Sequence, residues 1–151
     1  MKTFLLALLL ILAVQAHAQQ NEKAALDSAG KSAVKPASPM KMYVLVLLTT
    51  GNTDIKDKAA RDSVFAGHMK NIKRLAADGK LAVAGPFEKN TLNYRGLYVF
   101  NTASVEDAKV MVASDPAVQA GIFNAIYLPW YGSAALMEVN KIHEKLERDA
   151  N

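Results

Sequence analysis

The stretch MYVLVLLTT, residues 42–50, decides the fold. Its leucine and β-branched residues, closed by Gly51-Asn52, predict a strand. Alternation puts Tyr43, Leu45 and Leu47 on one face and Val44, Val46 and Leu48 on the other. Both faces are therefore apolar, and a strand of that kind needs cover on two sides.

Outward from this strand, Asp54 or Asp57 is placed to cap a long helix that runs to the stop signal Asp78-Gly79. KLAVAGPF, residues 80–87, reads as a second strand closed by Gly85-Pro86, and NYRGLYVFN, residues 93–101, as a third. SVEDAKVMVASD, residues 104–115, opens a second helix with Ser104 as cap and Glu106 and Asp107 in its first turn. Asp115-Pro116 breaks that helix. IFNAIYLPWY, residues 122–131, reads as a fourth strand interrupted by Pro129. The tail SAALMEVNKIHEKLERDA, residues 133–150, predicts a third helix with Leu136, Val139, Ile142 and Leu146 on one side. The order β-α-β-β-α-β plus a terminal helix is an α+β, ferredoxin-like split βαβ. Two helices cover only one face of a four-stranded sheet, so the second apolar face predicts a homodimer with sheets packed face to face.

The N-terminus reads differently. Lys2, the apolar run FLLALLLILAV and the small-x-small site at Ala16–Ala18 make a secretory signal peptide over residues 1–18, with cleavage expected before Gln19. The run is too short for a membrane span, so an exported product, periplasmic or secreted and free of the membrane after cleavage, is expected. Residues 19–39 are polar and alanine-rich and predict a flexible leader. This leaves a domain over 40–132 and the C-terminal helix over 133–151. The chain has no cysteine, so its stability rests on packing or association rather than on disulfides. Loss of Lys2 lowers the basic count from 18 to 17 against 14 acids, a net charge of +3. The basic residues are scattered among acids, with no basic stripe for nucleic acid.

The chain lacks the glycine-rich dinucleotide and P-loop fingerprints and the G-x-S-x-G nucleophile elbow. His143-Glu144 does not begin H-E-x-x-H, because position 147 is Glu. With His68 the only other histidine after residue 18, a multi-histidine metal site within one chain is excluded; histidine-plus-carboxylate metal binding is left as the alternative to the expectation of no cofactor or metal. His68 shares the inward stripe of the first helix with Val64, Ile72 and Leu75. In a split βαβ fold the two helices lie side by side, so the middle of the first approaches the end of the second, where Asp115 stands. A carboxylate beside an imidazole fixes its tautomer and makes it a better general base. A core histidine satisfied by a neighbouring carbonyl and a turn aspartate before a proline remain the alternatives. Phe65, Phe87, Tyr98, Phe123 and Trp130 are the candidate walls of a small-molecule site, with the hydroxyl of Tyr43 or Tyr98 open to a ligand oxygen.

The run HMKNIKRLAADGKLAVAGP from His68 to Pro86, then Gly96, SVEDA from Ser104 and Asp115-Pro116, together resemble the YciI-like (YCII-related) family over residues 42–131. The resemblance implies a ferredoxin-like dimeric α+β barrel in which His68 and Asp115 match the family's catalytic dyad. Members with an assigned activity are dehydrochlorinases of hydroxylated, halogenated rings. The functional expectation is lyase-like or isomerase-like acid–base chemistry on a small oxygenated cyclic molecule. The alternative is a module that binds a small ligand, or dimerises, without turnover.

Overall fold

Apolar residues on both faces place β1, Met40–Thr50, inside the sheet, where it pairs antiparallel with β3, Tyr94–Phe100, and with β4, Phe123–Ser133. The second strand, β2, Leu81–Pro86, pairs with β3, giving the order β2-β3-β1-β4 of a ferredoxin-like sheet. The structure is a computed structural model and describes residues 38–150. The expected signal peptide, 1–18, and residues 19–37 of the expected leader lie outside the described residues.

Of the two candidate caps for the first helix, Asp57 serves. Its carboxylate accepts from the Ala60 N–H at 2.7 Å, whereas that of Asp54 is bonded to Lys56. Helix α1, Lys58–Ala77, ends where Gly79 takes the left-handed conformation, with φ +67°. Helix α2, Val105–Ala113, is capped by Ser104, which accepts from the Asp107 N–H. A single short helix, α3, Pro116–Gln119, follows, with proline in its first turn, where no N–H is needed. The main core lies between the helices and one sheet face. Val44, Val46 and Leu48 of β1 meet Leu75 of α1, Ala108 and Val112 of α2, and Tyr98 and Phe100 of β3.

Two expectations are corrected. Pro129 does not interrupt the fourth strand, which runs unbroken with Pro129 opposite Val44. The reason is that β4 is an edge strand, and on its outer side a missing N–H forfeits no ladder bond. The tail is not one helix. A 3₁₀ turn, Ala134–Glu138, precedes α4, Val139–Asp149, and the change of pitch splits the expected stripe. Leu136 and Met137 pack onto Tyr43, Ala82 and Val99 on the second sheet face, while Val139, Ile142 and Leu146 stay exposed.

The tail thus covers one part of the second face. The rest is an apolar surface in which Leu45 lies opposite Leu128, and Leu47 lies between Ile126 and Leu97. Ile126 and Leu128 are 43% and 44% exposed. One irregularity bears on the site. Leu48 lies opposite Gly96, but Thr49 lies opposite Tyr94, so Arg95 is an extra residue in β3, a β-bulge.

Candidate active site

Helix α1 and the α2–α3 junction approach closely because Gly67 has no side chain. A Cβ there would lie 3.0 Å from Cγ of Pro116. The residue after Gly67 and the residue before Pro116 make the site. His68 points inward and Asp115 is fully buried, its carboxylate oxygens 2.8 and 3.0 Å from Nδ1 of the ring. Asp115 is also the cap of α3, its Oδ1 accepting from the Ala117 N–H at 2.9 Å. The turn role and the pairing with His68 are therefore both filled by one carboxylate.

Tyr98 completes the arrangement from β3. Its hydroxyl donates to Oδ2 of Asp115 at 2.7 Å and stands 3.4 Å from Nδ1 of His68. Sequence reasoning placed Tyr98 in the pocket wall but offered its hydroxyl to a ligand; that hydroxyl is instead spent on the carboxylate. Burial pushes the Asp115 carboxyl up, but hydrogen bonds from His68, Tyr98 and the Ala117 N–H outweigh it and hold the group below its ordinary range. Burial, then the Asp115 charge, pushes the Tyr98 phenol far above its usual value, so it remains a donor. An ionised carboxylate only accepts, so Nδ1 of His68 carries the proton, and in the neutral ring Nε2 holds the lone pair.

His68 and Tyr98 border a cavity of about 450 Å³. Phe65 and Phe123 form its aromatic wall, in edge contact at 6.0 Å between centroids, with Phe123 5.5 Å from the His68 ring. Among the described residues Nε2 has no protein partner, so the nitrogen with the free lone pair serves the cavity. Two candidate wall residues are not brought there. Trp130 alternates onto the opposite sheet face, where its ring lies against Gly132 and 5.9 Å from that of Tyr43. Phe87 lies beyond the end of β2 and packs on Tyr94, 6.2 Å between centroids. Tyr43 is no ligand donor either, since its hydroxyl donates to the Ser133 carbonyl at 2.9 Å.

Sequence reasoning also passed over Asn71, which is buried on the same stripe as His68. Its Oδ1 accepts from Arg74 at 2.7 Å and from the Ser114 hydroxyl at 3.1 Å, tying α1 to the residue before Asp115. The signal available was its position, three residues after His68 on the inward face. Among the described residues there is no cluster of three or more metal-ligating side chains and no helix long and apolar enough to cross a membrane.

A ferredoxin-like α+β domain with a histidine–carboxylate pair opening on an apolar cavity is the class that this geometry defines. Within it, the chain belongs to the YCII-related domain family, whose model matches residues 42–130. No curated protein matches the chain. Among solved structures, it is similar to the 5-chloro-2-hydroxyhydroquinone dehydrochlorinase of Burkholderia phenoliruptrix AC1100 in complex with 2,5-dihydroxybenzoquinone. The identity is 19%, over 58% of this chain and 92% of that one, with a TM-score of 0.42.

The lowered Asp115 pKa links the site to stability. A carboxyl whose pKa falls on folding adds stability that is fully present above the unfolded value of about 4 and is lost as pH falls through the native value. Asp115→Asn should therefore flatten the acid limb of a urea-midpoint against pH curve, relative to wild type. Tyr98→Phe should cost about 1.5–3 kcal/mol at neutral pH, the range for a hydrogen bond to a charged group, read by the same denaturation.

Proposed function

We propose that this protein is an exported, homodimeric enzyme that performs lyase-like or isomerase-like acid–base chemistry on a small oxygenated cyclic molecule. One observation carries the reading: Nδ1 of His68 is held by a fully buried carboxylate while the ring borders a cavity of about 450 Å³ with aromatic walls. That volume suits a single small ring rather than a polymer. Nε2 takes a proton from a C–H acidified by a neighbouring oxygen, and Asp115 balances the imidazolium that forms. In an elimination, the electrons of the broken C–H bond form the new double bond and the leaving group departs with its own pair. In an isomerisation, the imidazolium returns the proton at another ring position.

His68→Ala should lower the rate on a ring substrate by about a hundred- to ten-thousand-fold, the worth of a positioned general base. Asp115→Asn should keep the fold and lose rate through the wrong tautomer. Turnover that survives His68→Ala, or ligand binding with no turnover by the wild type, would leave a binding module instead.

Homodimer formation is supported by the apolar second sheet face, where Ile126 and Leu128 are exposed beside the half-buried Leu45, Leu47 and Leu97, a patch of the kind that marks an interface. Light scattering of residues 40–151 should give twice the chain mass at micromolar concentration; a monomer mass overturns the sheet-to-sheet arrangement.

Export rests on residues 1–18. Mass spectrometry of the protein made with its full N-terminus should find Gln19 first, and retention of Met1–Ala18 overturns the reading.

A further inference from the structure

Arg95 stands where regular strand alternation would not put it. Gly96, Tyr98 and Phe100 share the helix-facing side of β3, so an unbroken strand would turn residue 95 to the opposite face. The bulge at Leu48 and Thr49 adds one residue to β3 and reverses the alternation there. Arg95 consequently lines the same cavity as His68, and its Nε–H donates to Oγ1 of Thr50 at 2.6 Å.

Three features make this more than a surface arginine. Arg95 is the one permanently charged side chain lining the cavity among the described residues, and no carboxylate lines it, because Asp115 is enclosed behind His68 and Tyr98. The bond to Thr50 anchors the guanidinium by Nε and leaves its terminal amino groups without a protein partner among the described residues. Phe65 and Arg95 also line a second, adjoining cavity of about 330 Å³, in which the positive Arg61 faces the negative Asp54, itself bonded to Lys56. That cavity is lined by a carboxylate as well as by arginines, whereas the His68 cavity has Arg95 and no carboxylate.

Resting on the reading of this cavity as the ligand site, we propose that Arg95 determines its specificity and that the ligand is an anion. The ligand is a ring bearing a carboxylate or a comparably acidic oxygen. Its charged group pairs with the Arg95 fork, and its ring packs on Phe65 and Phe123 beside His68. A guanidinium matches two acceptor oxygens at once, and in an otherwise apolar cavity such a pair outweighs the same contact in water. For acid–base chemistry the arrangement has a further use: charge that builds on the ring oxygen as a proton leaves is met by a fixed cation.

The test uses binding, so that it stands apart from turnover. The full chain is titrated calorimetrically with 4-hydroxybenzoate and with its uncharged amide, 4-hydroxybenzamide. Wild type should bind the carboxylate roughly tenfold to a hundredfold more tightly, as expected of a hydrogen-bonded charge, and the advantage should shrink with added salt. Arg95→Met should reduce the preference to within about twofold, and Arg95→Lys, which keeps the charge without the fork, should retain an intermediate value. Thermal midpoints of both variants show whether the fold is kept; should Arg95→Met not fold, the Lys variant and the salt series decide. Equal binding of the two probes by wild type, binding of neither, or an undiminished preference in the folded variants overturns the proposal. His68→Ala should leave the preference standing while removing turnover, so failure of the catalytic reading and failure of this one give different results.

Discussion

A carboxylate with no solvent contact is the constraint around which this domain is arranged. Asp115 must be ionised to act as acceptor for three donors, and an ionised group at that depth is tolerable only when each oxygen is satisfied. The three donors come from three elements: the imidazole from α1, the phenol from β3 and a backbone N–H from α3. Meeting that demand fixes the approach of α1 to the α2–α3 junction, which in turn needs Gly67 beneath Pro116 and is reinforced by Asn71 on Ser114. The same demand leaves His68 with one nitrogen committed and the other turned to the cavity.

Sheet geometry supplies the remaining parts. Val44, Val46 and Leu48 hold the helices against one face, and the side chains at the end of that face form the floor of the cavity. A single bulge in β3 brings a cation to the same floor without altering the rest of the strand. The opposite face carries equally apolar residues, of which the 3₁₀ turn covers only the part around Tyr43 and Val99. One apolar strand thus serves two purposes, a core on one side and a surface available for association on the other.

Much of this was legible in the residues. The strand and helix order followed from period and punctuation: Asp54 or Asp57 and then Ser104 as caps, Gly79 as stop, Asp115-Pro116 as break. The pairing of His68 with Asp115 followed from topology, because one residue sits mid-helix on an inward stripe and the other at the end of the neighbouring helix. Those are local and low-resolution facts, and propensity and periodicity carry them.

What the sequence by itself determined, then, was the ferredoxin-like order, the inward histidine and the two-faced strand. Only the tertiary structure decided which way single side chains turn at the site. Tyr98 gives its hydroxyl to Asp115, Phe87 falls away from the cavity, and Arg95 swings into it. For Arg95 the physical reason is that strand alternation has a period of two, so one bulged residue turns a side chain to the other face; for Tyr98 it is a partner carboxylate supplied by another element. A bulge is set by how two strands pair across the sheet, and neither strand carries that register in its own sequence.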